Sequence, residues 1–258
     1  MAKDSRDPIP ENIKREVRQR CGFGCVVCGL PLYEYDHMTP HAQVLVHEAD
    51  NLTLLCDRHH REKTDGLLPL DLVRRKNEKP ANIEMGISTP YGLHFYGEEC
   101  EIQVSDIRFF GHRSKLVPFL INEEEFVSFS FDGDRILLNM LIRGKNGETA
   151  LSVVENEIVY SASSWDIEFF GGSGKTLKMR NALRDIQFAV TFHPPSRIHV
   201  SRLKMAYGEV KVYVDDAGFH VRGPGARRRD MRNMSGSGFQ YGIILDSPSF
   251  RGTAMGFI

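Results

Sequence analysis

Two short ligand pairs constrain this chain more than any other feature. They are Cys25-Val26-Val27-Cys28 and Cys56-Asp57-Arg58-His59, each with its paired side chains two residues apart. A tight turn of this kind aims two side chains at one point, and two such turns supply four ligands. Zinc takes four thiolate or imidazole ligands in a tetrahedron, with Zn–S bonds near ~2.3 Å. Cys25, Cys28, Cys56 and His59 meet that demand. Cys21 accompanies them in the first quarter of the chain, leaving only Cys100 elsewhere, and His37, His41, His47, His59 and His60 crowd the same quarter. The first eight residues, Met1 to Pro8, show no apolar leader, and no apolar run approaches the ~18 residues that a membrane span needs. The chain is therefore read as cytosolic and not membrane-bound, a setting in which clustered cysteines indicate metal rather than disulfides. A small domain buries little core, and a metal staple compensates for that.

Composition supports a globular chain and little else. Hydrophobic residues make up 41% and charged residues 26%, and the net charge of -1 neither indicates nor excludes nucleic-acid binding. Phosphate contacts depend on where the basic residues lie, not on their sum. Ile9, Ile13, Val17 and Cys21 recur at helical spacing, Pro10 suits a first helical position, Glu11 favours the positive end of the helix dipole, and Gly22 and Gly24 stop the run. A second periodic stretch runs from Asn51 to Lys63. These elements place an N-terminal domain at 9–75 and a linker with two prolines at 76–90. A β-rich domain follows at 91–258. Its strand candidates are Phe126–Phe131, Arg135–Ile142, Ala150–Val154, Glu157–Tyr160, Ile186–Phe192, Ile198–Leu203 and Glu209–Val214. Asn146-Gly147 predicts a type I′ hairpin turn. The fold class is thus α+β, a small metal-stapled domain followed by an antiparallel all-β sandwich or barrel. Asp106-Ile107-Arg108-Phe109-Phe110-Gly111 is echoed by Asp166-Ile167-Glu168-Phe169-Phe170-Gly171, either as a duplicated hairpin or by coincidence. Residues 223–238, rich in Gly, Arg and Ser, read as a loop.

Between and after the ligand pairs stand Asp36-His37 with Pro40, then Asn51-Leu52, then Leu55-Cys56 through His59-His60 to Lys63. In this order the string resembles the HNH endonuclease family, of the zinc-containing ββα-metal kind, over roughly the first quarter of the chain. The resemblance implies a DNA-cutting enzyme with structural Zn²⁺ and one catalytic Mg²⁺ or Mn²⁺. It assigns His37 as general base, and an ordinary imidazole pKa of ~6.5 suits that task near neutral pH. Asp36 and His60 would hold the catalytic ion, and Asn51 would fix the loop that orients His37. His59 departs from the family, which usually has cysteine there, so the zinc set becomes three cysteines and one histidine. His59 and His60 are adjacent and could exchange roles, although the spacing from Cys56 assigns His59 to zinc.

Further residues complete the expectations. Lys63 is read as a phosphate contact on the same helix as His60, and Arg227, Arg228 and Arg229 as contacts to a DNA backbone. His47 is read as an exposed loop histidine, while His41 is left between that role and an auxiliary metal or phosphate contact. Cys21 belongs to the core of the first helix, and Cys100 is a partly buried strand thiol. Gly171-Gly172-Ser173-Gly174-Lys175-Thr176 lacks the first glycine of a phosphate-binding loop, because Phe169 stands there, and reads as a hairpin turn. One such site cuts one strand, so a double-strand break needs a homodimer. The segments around Trp165-Asp166-Ile167, Leu177–Arg180 and His193–Ile198 look like a β-module that accompanies bacterial HNH domains, read here as targeting or regulating the nuclease. Two other readings stand beside this one: a zinc-dependent DNA-binding protein that does not cut, and a sensor β-domain that gates the nuclease.

Overall fold

The computed structural model describes residues 8–40, 46–121, 123–169, 175–207, 210–223 and 228–245. The N-terminal region opens with α1 (Glu11–Arg20), whose Pro10 lies just before the helix with extended ψ rather than inside it. Val17 and Cys21 of the predicted apolar stripe are fully buried, and Ile9 and Ile13 pack at its edge. The helix ends in two consecutive left-handed residues, Gly22 (φ 66°) and Phe23 (φ 62°). Glycine adopts that conformation freely, whereas phenylalanine does so at a cost. Phe23 is held there because its ring is buried, 1% exposed, in the core of the β region.

The ββα unit follows. Strand β1 (Glu34–His37) pairs antiparallel with β2 (Leu52–Leu55), in register Asp36 with Thr53 and His37 with Leu52. A 3₁₀ turn (Ala49–Asn51) leads into β2, and α2 (Asp57–Thr64) leaves it immediately. Residues 69–90 are ordered structure. They hold α3 (Leu70–Glu78), α4 (Ala81–Met85) and a left-handed Gly86. The α4 residue Asn82 is fully buried against the first ligand pair, where its amide donates to the Gly22 carbonyl at 2.9 Å. A Cβ at Gly24 or Gly29 would collide with that amide, which is why the turn needs glycine at both places.

Beyond Pro90 the described residues are strands with the turns and loops that join them. In chain order the strands are β3 (Tyr91–Gly92), β4 (Glu99–Val104), β5 (Ile107–His112), β6 (Val117–Ile121), β7 (Glu124–Glu125) and β8 (Val127–Asp132). Next come β9 (Arg135–Arg143), β10 (Thr149–Val154), β11 (Glu157–Tyr160), β12 (Asp166–Phe169), β13 (Thr176–Ala182) and β14 (Asp185–His193). The last are β15 (Arg197–Tyr207), β16 (Val210–Asp215), β17 (Gly218–Arg222), β18 (Arg228–Met231), β19 (Ser235–Ser237) and β20 (Tyr241–Leu245). One five-stranded sheet has the order β3-β11-β10-β9-β8. A ten-stranded sheet runs from β12 to β18 in sequence order, with β4, β5 and β19 added beside β15. A three-stranded sheet, β20-β6-β7, completes the set, and no sheet among the described residues closes into a barrel. The sandwich-or-barrel expectation thus loses its barrel half.

Among the described residues, three pairings are parallel and join distant segments: β4 with β15, β19 with β5, and β20 with β6. The eleven-residue β15 makes this branching feasible, since Arg197–Val200 pair with β4 while Leu203–Tyr207 pair with β16. Aromatic side chains fill the space among the sheets. Phe119 stacks on Phe219 at 4.0 Å between ring centres and on Phe126 at 5.7 Å.

The structure corrects two local expectations and bears on a third reading. The β9–β10 turn is not type I′, because Gly147 has positive φ (84°) and Asn146 does not. The Gly144 N–H instead donates to the Glu148 carbonyl at 2.7 Å, and the register shifts after Thr149. Residues 228–231 and 235–237, expected in a loop, are strands with defined partners. The two echoed segments play unlike parts, since Asp166 starts a strand and Asp106 sits in the turn before β5. The glycines at 171–174 lie outside the described residues, although β12 and β13 pair directly on either side of them.

The two regions are docked by polar contacts as well as by Phe23. Arg18 of α1 is 2% exposed and Asp166 of β12 is 0% exposed. Arg18 grips that carboxylate with two hydrogen bonds, 2.8 Å from Nε and 2.9 Å from Nη2. Its remaining amino group donates to the Tyr35 phenol at 2.9 Å. Arg180 adds 2.9 Å and 3.0 Å bonds to Asp166 and Glu168. The Tyr160 hydroxyl donates to the Phe23 carbonyl at 2.6 Å, and Gln19 donates to the Trp165 carbonyl at 2.7 Å.

Candidate metal centre and active face

The four candidate zinc ligands come from two turns that the fold brings face to face. The first pair lies in the turn after α1, closed by the Gly29 N–H donating to the Cys25 carbonyl at 2.7 Å. The second pair spans the start of α2, where Cys56 precedes the helix and His59 lies in its first turn. One ligand atom from each of Cys25, Cys28, Cys56 and His59 falls within 4.8 Å of the others. The Cys28 and Cys56 sulfurs are 3.8 Å apart, which is the edge length of a tetrahedron with ~2.3 Å bonds. His59 Nδ1 lies 3.3 Å from the Cys25 sulfur and 3.2 Å from the Cys56 sulfur. This donor set fits zinc, and the cluster can hold it.

The thiols respond to one another's proximity. The hydrogen bond between Cys25 and Cys28 pushes Cys25 well up and draws Cys28 down, and burial raises Cys56. A metal that binds thiolates turns this crowding into attraction. Cys21 and Cys100 stand apart from the cluster. Burial lifts Cys21 to about 11 and Cys100 to about 12, so both remain thiols, as expected of core residues.

Neighbours on a helix point about 100° apart, and the His59–His60 pair shows the result. His59 turns into the cysteines, while His60 turns towards β1. The His60 Nε2 lies 3.3 Å from Asp36 Oδ1. Asp36 is 8% exposed, so its carboxylate is held in a shallow recess with one oxygen facing the imidazole. Two donor atoms 3.3 Å apart are close to the ~3 Å edge of an octahedral ion with ~2.1 Å bonds, so one oxygen and one imidazole fit Mg²⁺ or Mn²⁺. Lys63, one turn after His60, donates to the other Asp36 oxygen at 2.6 Å and to the His37 carbonyl at 2.7 Å. Its ammonium therefore lies inside the site instead of reaching outward.

Asn51 is bonded to the backbone just past His37. Its side-chain oxygen accepts the Thr39 N–H at 2.7 Å, and its amide donates to the Thr39 carbonyl at 2.9 Å. Its own carbonyl accepts the Met38 N–H at 2.8 Å. Three bonds thus pin the segment that follows His37. His47 is a neighbour that sequence reading set aside as an exposed loop residue. It is half-buried, and its Nδ1 lies 3.1 Å from His37 Nε2. The available signal was a third histidine within ten residues of His37. His41 lies outside the described residues.

The arginine row is elsewhere. Arg227 lies outside the described residues, and β18 carries Arg228 opposite Arg222 and an exposed Arg229 opposite Val221. β18 and β12 end opposite sides of the ten-stranded path, with β13 to β17 between them. At ~4.8 Å per strand the row is roughly 29 Å along the sheet from the strand that docks on α1.

The family model described as HNH endonuclease matches residues 19–66. No curated protein and no solved structure matches the chain. No helix among the described residues is long and apolar enough to cross a membrane. The matched segment encloses both ligand pairs, β1, β2 and α2, and so covers the zinc cluster and the Asp36–His60 face. Residues 19–66 thus match the HNH endonuclease domain model, and the strand-rich remainder of the chain is an additional β region.

Proposed function

We propose that the chain is a metal-dependent endonuclease that hydrolyses DNA phosphodiester bonds, with the β region targeting or regulating the cut. The observation that carries this reading is the 3.3 Å approach of His60 Nε2 to Asp36 Oδ1, the residue before His37 in the chain, away from the zinc cluster. DNA binding alone needs no such donor pair. Asp36 and His60 would hold a divalent ion, which when bound would supply charge stabilisation for the scissile phosphate and the departing 3′-oxygen. His37 takes the proton from the attacking water. Asn51 fixes the backbone after His37 through the Thr39 bonds, so the imidazole meets the water in one orientation. Lys63 holds Asp36 and adds positive charge where phosphate oxygens gather, while Arg227, Arg228 and Arg229 follow the DNA backbone away from the cut. The Arg18 bridge between Asp166 and Tyr35 supports a regulatory role for the β region, since Tyr35 lies between Glu34 and Asp36 on β1.

The test is supercoiled plasmid with the zinc-loaded protein and Mg²⁺ or Mn²⁺, beside His37→Ala. Wild type should give nicked circles, with linear product only where two copies act together. His37→Ala should nick about 10²–10⁴-fold more slowly with its zinc content unchanged. Equal inactivity of both proteins across metals and substrates would overturn the reading and favour a zinc-dependent DNA-binding protein.

A further inference from the structure

Glu34 is two residues before Asp36 on β1, so strand alternation places both carboxylates on the same face. The His60 ring from α2 enters between them. Its Nε2 lies 3.3 Å from Asp36 Oδ1, and its Nδ1 lies 3.4 Å from Glu34 Oε2. Neutral imidazole carries a proton on one nitrogen and a lone pair on the other, and a ligating nitrogen must be the one with the lone pair. A metal-bound histidine nearly always gives its other N–H to a carboxylate or carbonyl, which fixes the tautomer and the ring plane. Glu34 stands where that acceptor is needed.

We infer that Glu34 is a positioning residue for the catalytic ion: it accepts the His60 Nδ1–H and thereby turns His60 Nε2, as a lone-pair donor, towards the ion shared with Asp36. This rests on the proposed nuclease reading. Glu34 is not placed to be a ligand itself, because it meets the ring at the nitrogen remote from Asp36. The two side chains are 60% and 40% exposed, and an ordinary surface ion pair at that exposure is worth little. The two roles therefore predict different outcomes.

The experiment titrates Mn²⁺ by calorimetry into the zinc-loaded full chain as wild type, Glu34→Ala, Glu34→Gln and Asp36→Ala, and measures plasmid nicking at saturating Mn²⁺. Glu34→Ala should weaken Mn²⁺ binding about 10–100-fold and lower the nicking rate even when metal saturates. Glu34→Gln, which keeps an acceptor oxygen, should recover part of both losses. Zinc content and thermal midpoint should stay at the wild-type values in both variants, which separates positioning from a folding role. Asp36-dependent Mn²⁺ binding with Glu34→Ala within threefold of wild type would overturn the inference alone. Wild type without Asp36-dependent Mn²⁺ binding would overturn the nuclease reading together with it.

Discussion

The N-terminal region and the β region are held together by different means. Around the zinc ligands the apolar layer is thin, mainly Val17, Val26, Leu52, Leu54, Leu55 and Val73, and two of its buried members are the ligands Cys25 and Cys56. The β region has a continuous core drawn from all its sheets, with Phe119, Phe126, Phe129, Phe188, Phe192 and Phe219 among its fully buried side chains. A region with a large apolar core can leave its surface to other uses. A region without one relies on a metal and on its neighbour, and here the neighbour supplies a pocket for Phe23 and a carboxylate for Arg18. Such a region can keep a polar face such as that of Asp36 and His60, because its fold does not depend on burying that face.

Zinc removal tests this contrast with the largest effect. Structural zinc in small domains is worth about 10–16 kcal/mol. A strong chelator, or Cys56→Ala, should abolish the far-UV helix signal of α1 and α2 while the strand signal persists. Retention of helix in the zinc-free protein would refute the staple.

Asp166→Ala comes next. It strands the buried Arg18 charge, and breaking one partner of such a pair costs about 3–5 kcal/mol. Urea unfolding should show the N-terminal region separating at lower denaturant, with its zinc still bound. Replacing both partners by apolar residues of similar size should recover most of the loss. Failure to recover would mean that the Tyr35 and Arg180 bonds matter more than the charge.

The smallest effect concerns Glu168. Burial alone would raise its carboxyl, but the hydrogen bond from Arg180 and the charges of Arg18, Arg180 and Lys178 hold it below the ordinary range. A depressed acid stabilises the fold above its unfolded pKa of ~4.3, and that contribution is lost as pH falls through the folded value. Glu168→Gln should therefore be less stable than wild type by on the order of 1 kcal/mol at pH 7. The gap should close on acidification below about pH 4. A gap that persists in acid would assign the effect to packing.

Legibility in the sequence followed the range of the interaction. The ligand pairs were readable because two-residue spacing is local, and the seven strands expected from apolar patterning all appear, six within a residue of their places and the seventh, Ile198–Leu203, running on to Tyr207. The helix stripe from Ile9 to Cys21 was readable for the same reason. What could not be read depends on chain segments far apart. Nothing in Arg197–Val200 announces a parallel partner in β4, and Arg18 looks like any basic residue on an exposed helix face until Asp166, 148 positions later, is beside it. His47 was missed on a shorter scale, because nothing in a ten-residue separation announces that its ring meets that of His37. Asn146-Gly147 misled because the loop is one of several that a glycine at positive φ can close.

The Arg18–Asp166 bond also bears on inheritance. A gene fusion that joined residues 9–75 to a different downstream module would deliver Arg18 to a surface without its carboxylate and leave a charge in the dry interior. Such a hybrid starts with a penalty that a new carboxylate beside Arg18, or an apolar residue in its place, would remove. The N-terminal region therefore carries a physical cost whenever it is separated from the carboxylate of the β region it leans on.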